Sequence, residues 1–143
     1  MKYIKTEELL EQLKLKDISY EQYLAENEDS FICEDLTAFW SEMTKKSGMS
    51  KVDIINKADI GYTYFYSVIG GRNYPSRDTI IKIFIAMSLP LEDCQDALRL
   101  YNWAQLSPRV KRDSMVIFAL THKLSLYKLE ELLEEHGEKS FKN

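Results

Sequence analysis

Between Met49 and Thr79, two short apolar-periodic stretches stand only three residues apart, and this spacing constrains the fold more than any other feature. Ser50 followed three residues later by Asp53 has the spacing of a capping box, and Ile54, Ile55 and Ala58 then recur on one helical face. Asp59-Ile60-Gly61 makes the turn, with Asp59 tolerating a left-handed conformation because its side chain is short and polar. A second helix is expected over Tyr62–Ile69, with Phe65 and Val68 as its buried pair. Gly70-Gly71 ends it, since two glycines cost a helix dearly and permit positive φ. A Gly-Arg-Asn-Tyr-Pro loop leads to Ser76, the expected cap of a further helix whose apolar positions are Ile80, Ile81, Phe84, Ile85 and Met87.

Helical patterning continues on both sides. Thr6 is a candidate N-cap before Glu7 and Glu8, with Leu9, Leu10 and Leu13 behind it. Ser19 with Gln22 opens a short helix carrying Tyr20, Tyr23 and Leu24, and residues 26–30 read as an acidic loop. From Glu34, the residues Leu36, Phe39, Trp40 and Met43 recur at helical spacing, and Gly48 sits where a left-handed C-cap belongs. Leu89-Pro90 breaks the helix after Ser76, and Glu92 to Trp103 forms the next, with Cys94, Ala97, Leu98 and Tyr101 inside. Two more helices, split near Leu124-Ser125, carry Met115, Val116, Phe118 and Ala119, then Leu126, Leu129, Leu132 and Leu133. Gly137 closes the last, and the tail 138–143 reads as frayed. The expectation is an all-α chain of about seven helices. An arm (residues 1–32) precedes a five-helix core (33–104), and a helical extension (105–143) packs on it.

Bulk properties bound the function. With 143 residues the chain has room for one helical domain with extensions. Cys33 and Cys94 fit neither a disulfide framework nor a metal site, and their apolar surroundings point to reduced thiols in a cytoplasmic protein. The opening MKYIKTEELL has no apolar run suited to a signal peptide, and no window approaches a membrane span. The net charge of -4 is unevenly spread. Residues 1–40 hold four basic and ten acidic side chains, residues 41–82 seven and four, and residues 83–143 eight and nine. Positive charge therefore gathers on the segment with the paired short helices, as an anionic polymer would require.

Between Leu36 and Leu98 the chain resembles the phage-repressor-like (XRE or Cro-like) helix-turn-helix family. Met49-Ser50, Ala58-Asp59-Ile60, Gly71-Arg72-Asn73-Tyr74-Pro75-Ser76 and Asp78-Thr79-Ile80 carry the likeness. The resemblance implies a repressor-like core in which the second helix enters the DNA major groove, and a transcriptional regulator that reads double-stranded DNA as a homodimer. It implies that Lys51 meets a backbone phosphate and that Tyr62, Thr63 and Ser67 face base edges, with Tyr64 and Tyr66 nearby. Arg72, Asn73 and Arg77 would anchor the second phosphate strand, and Lys45 could assist. The leucines Leu126, Leu129, Leu132 and Leu133 are one candidate dimer surface; ordinary internal packing explains them equally well.

Direct base reading asks for Arg or Lys to guanine and Asn or Gln to adenine, and Tyr62–Ile69 contains none of these. Gly61 also replaces the usual Ser or Thr cap of a recognition helix. Such a helix can still bind DNA through phosphates and shape. The alternative is an adaptor of the same fold whose Tyr62–Tyr66 surface grips a protein, since aromatic residues with a polar tip are enriched at interface hot spots.

No catalytic constellation emerges, and no cofactor is expected. His122 and His136 lie fourteen residues apart with no second ligand at metal spacing, so surface or structural roles fit them better. Arg109, Lys111, Arg112 and Asp113 read as a solvated helix start, and Glu130, Glu131, Glu134 and Glu135 as an exposed helix face.

Overall fold

The computed structural model describes residues 4–28 and 36–142, so Cys33 and the expected boundary at residue 33 lie outside the described residues. Helices in chain order are α1 (Thr6–Lys14), α2 (Tyr20–Glu26), α3 (Leu36–Ser47), α4 (Lys51–Ala58), α5 (Tyr62–Ile69), α6 (Arg77–Met87), α7 (Leu91–Leu100), α8 (Lys111–Thr121) and α9 (Leu126–Glu135). No strand occurs among the described residues, and the fold is all-α.

The reason α6 sits at the centre is legible in its composition. From Ile80 to Met87 every residue except Lys82 is buried, and a helix that is apolar on all sides must be enclosed by others. It packs against α4, α7, α8 and α9, while α5 packs on α3 and α4. One continuous apolar core results, from Phe39, Trp40 and Met43 through Phe65, Val68 and Phe84 to Leu129 and Leu133.

Serine caps set four of the helix starts. The hydroxyls of Ser19, Ser50, Ser76 and Ser125 accept hydrogen bonds from the backbone N–H groups of Gln22, Asp53, Thr79 and Lys128. Each such cap is worth about 1 kcal/mol. Asp59 ends α4 in the left-handed region at φ 53°. Gly71 stands at φ +75°, and a Cβ there would meet Thr37 Oγ1 at 3.6 Å and Leu36 Cβ at 3.8 Å, so the turn after α5 runs close against the start of α3.

Several expectations need correction, the first being the count: nine helices form among the described residues where about seven are expected. Thr6 does not cap α1; Lys5 holds that position, and the Thr6 hydroxyl donates instead to Asp96 Oδ1 on α7. With that contact the arm is moored to the body, although α1 has no buried residue. The helix expected over residues 92–103 spans Leu91–Leu100, and Trp103 lies beyond it, donating its indole N–H to Pro75 O at 3.0 Å. The tail is not frayed through residue 141: Lys139 O accepts from Arg112 Nε at 2.8 Å, and the Arg112 guanidinium lies 5.0 Å from the Phe141 ring centroid. Phe118 points outward, 49% exposed, with its ring 4.2 Å from that of His122. Glu130 is buried at 7% exposure, unlike the other three glutamates of its group. Leu126, Leu129 and Leu133 are buried in the chain's own core, with Leu132 packed against it, so these leucines offer no dimer surface.

Candidate functional site

The outward face of α5 follows from its helical phase. Phe65 and Val68 turn inward and are buried, which leaves Thr63 opposite them and sets Tyr62 and Tyr66, one turn apart, along one flank, with Tyr66 packed in part against the core. Tyr62 is 60% exposed, Thr63 is exposed, and Tyr66 and Ser67 are half-buried. The Tyr62 and Tyr66 rings stand 4.8 Å apart between centroids. Lys51, in the first turn of α4, places Nζ 5.7 Å from the Tyr66 ring centroid, close enough for the ammonium to interact with the ring face. Hydrogen bonding with the Tyr66 hydroxyl, and that group's charge, hold the Tyr62 phenol above its ordinary titration range, with burial adding slightly and Lys51 opposing.

At the other end of α5, Ser67 O accepts the backbone N–H groups of Arg72 at 2.9 Å and Asn73 at 3.2 Å. The Arg72 guanidinium folds back over the helix end, with Nη2 3.5 Å from Tyr66 O. A Cβ on Gly70 would approach Arg72 Nη1 to 2.8 Å, so the glycine that ends the helix also clears the path for this side chain. Neither Lys51 nor Arg72 is ion-paired among the described residues.

The loop bearing Arg72 and Asn73 is clamped from beneath. The Tyr74 hydroxyl donates to Tyr101 O, while the Tyr101 hydroxyl accepts the buried Trp40 indole N–H at 2.7 Å. Together with the bond from Trp103 to Pro75, these contacts fix the loop to the residues after α7.

The arrangement thus brings together Lys51, Tyr62, Tyr66 and Arg72, with Thr63, Ser67 and Asn73 beside them. Two of the expected residues do not join. Tyr64, half-buried against the core as Tyr66 is, lies on the other flank of α5, away from the Tyr62–Tyr66 ring pair. Arg77 turns into the protein: Nη1 and Nη2 grip Asp113 Oδ1 and Oδ2 at 3.1 and 2.9 Å, Nε donates to Ala104 O at 2.9 Å, and Nη2 also reaches Gln105 O at 3.3 Å. A guanidinium so fully engaged is a structural anchor. Its partner Asp113, expected in a solvated helix start, is buried and also accepts Ser107 N–H at 3.1 Å. Arg112 and Asp78 form a second fork at 2.9 and 3.2 Å. The repeated Arg-Asp dipeptide was visible in the sequence, but nothing in it told that the two copies pair crosswise.

Among the described residues, no group of three His, Cys, Asp or Glu side chains could hold a metal ion, and no helix is long and apolar enough to cross a membrane. Comparison with protein-family models, curated proteins and solved structures finds no match to this chain.

Proposed function

We propose that α4 and α5 act as a helix-turn-helix of the repressor-like kind and that the protein is a cytoplasmic transcriptional regulator binding double-stranded DNA. One observation supports the reading: the Tyr62–Tyr66 ring pair on α5, with Tyr62 exposed, has two cations beside it, Lys51 over the Tyr66 ring and Arg72 at Tyr66 O, neither of them ion-paired among the described residues. In this mechanism Lys51 and Arg72 meet phosphates on either side of the groove, and Tyr62, Thr63 and Ser67 lie along its floor. Thr63 and Ser67 offer single hydrogen bonds, and the neutral phenols donate to phosphate or pack on thymine methyl groups. With no bidentate reader on α5, phosphate contacts and DNA shape supply most of the affinity. Two copies would read half-sites about 34 Å apart. Fluorescence anisotropy with a mixed-sequence duplex tests the proposal, because log affinity should fall linearly with log salt.

A second reading, a protein-binding adaptor, draws on the exposed apolar character of the same face. Val52 on α4 is 53% exposed, and the Tyr62–Tyr66 pair has the amphipathic character of an interface hot spot. A protein complex abolished by Tyr62→Ala, in a chain that duplex DNA never retains, would favour the adaptor.

A further inference from the structure

A cavity of about 370 Å³ opens between the end of α4, the end of α6 and the start of α9, away from the residues assigned to DNA. Its volume falls at the lower end of the roughly 300–1,000 Å³ typical of small-molecule sites. The floor is apolar, built from the buried side chains of Ile85, Ala86 and Leu126, and the exposed Tyr127 ring stands at the rim. The charged lining consists of Lys57 and Lys123, with no carboxylate among the described lining residues. In a chain where acidic residues outnumber basic ones by 23 to 19, that is a local reversal of sign. Neither lysine is ion-paired among the described residues. Lys123 Nζ donates to Ser88 O at 2.7 Å, which holds the ammonium beside the cavity and leaves two of its N–H groups for another acceptor.

We propose that this cavity binds a small amphipathic organic anion, its carboxylate between Lys57 and Lys123 and its apolar body over Ile85, Ala86 and Leu126. Two cations above an apolar floor suit a ligand with one charged end and a hydrocarbon body. A fully polar anion would make no use of the apolar floor, and a neutral apolar molecule would make no use of the two ammonium groups. The site is independent of the DNA proposal, since none of its lining residues belongs to the Lys51–Arg72 face.

NMR titration of the ¹⁵N-labelled full chain with octanoate, and separately with its neutral isostere octanamide, tests the assignment. Octanoate is expected to give saturable shifts confined to Ala86, Ser88 and residues 123–127, and to bind at least tenfold more tightly than octanamide. Lys57→Met, which keeps the bond from Lys123 to Ser88, should weaken octanoate severalfold and leave octanamide unchanged. Lys57→Met with Lys123→Met should remove the preference for the anion. Both lysines are exposed, so an unchanged amide spectrum should show these variants folded. Equal affinity for the two probes, shifts centred elsewhere, or octanoate binding that is indifferent to the lysines would each overturn the proposal.

Discussion

Arg77 and Asp113, 36 residues apart, meet through two parallel hydrogen bonds, and their neighbours Asp78 and Arg112 meet the same way with the charges reversed. The Arg-Asp pair that starts α6 is thereby cross-braced to the Arg-Asp pair in the first turn of α8. This brace joins the segment after the proposed DNA-binding face to the C-terminal helices.

Removing one partner of the more buried fork should be costly. Asp113→Ala leaves the Arg77 guanidinium without its carboxylate, with only the Ala104 and Gln105 carbonyls as acceptors, and Ser107 N–H without its acceptor, and is expected to lower stability by about 3 kcal/mol. Arg112→Ala should cost about 1 kcal/mol, because Asp78 is 38% exposed and well solvated. Urea unfolding of both variants measures the difference, and adding Arg77→Ala and the Asp113→Ala, Arg77→Ala double variant gives the coupling.

Tyr101, whose carbonyl holds the 71–76 loop through Tyr74, is itself tied to the core by its phenol. Tyr101→Phe removes the acceptor of the Trp40 indole N–H, which is enclosed in the core. An unsatisfied buried donor of this kind costs about 1–3 kcal/mol, read as a lowered urea midpoint at unchanged m-value.

Alkaline pH should destabilise the fold through Cys94. Burial raises its thiol above the ordinary value of 9.0, with Arg77 opposing and Asp93 adding slightly. The unfolded chain therefore loses this proton first, and stability falls as pH rises above about 9. The thiol contributes a slope approaching about 1.4 kcal/mol per pH unit. Burial likewise raises Tyr101, with the Trp40 hydrogen bond opposing and Tyr74 adding, so a second decline begins above its ordinary value of 10.0. Cys94→Ala should flatten the dependence between pH 9 and 11, and an unchanged slope would argue against this assignment.

The C-terminal leucines are expected to act on stability within one chain. Leu129 is wholly buried, and Leu129→Ala should cost about 2–5 kcal/mol by opening a cavity in the shared core. Sedimentation of the folded variant should match that of the parent, whatever the parent's oligomeric state.

Local chemistry in the sequence accounts for much of this architecture. The Ser19, Ser50 and Ser76 caps, the left-handed Asp59 and the inward Phe65 and Val68 all depend on residues within one or two turns, which spacing reveals. What stayed hidden depends on distant partners. Thr6 looked like a cap because nothing local placed Asp96 beside it, 90 residues away. Arg77 looked available for phosphate because its carboxylate lies on α8, and the tail looked frayed because Phe141 finds Arg112 only after α8 and α9 have packed. The Tyr62–Tyr66 pairing was legible from helical phase, but how far Tyr64 and Tyr66 pack against the core depended on how closely the neighbouring helices approach.

Salt-dependent duplex binding by the parent chain, Lys51→Ala with Arg72→Ala, and Arg77→Ala bears most directly on the central claim. The parent should lose affinity steeply with salt, and the double variant should flatten the log–log slope by about two units. Arg77→Ala, once shown to be folded, should leave the slope unchanged, because its guanidinium is spent on Asp113. A parent that binds no duplex at low salt, or a slope untouched by losing Lys51 and Arg72, would contradict the DNA-binding account.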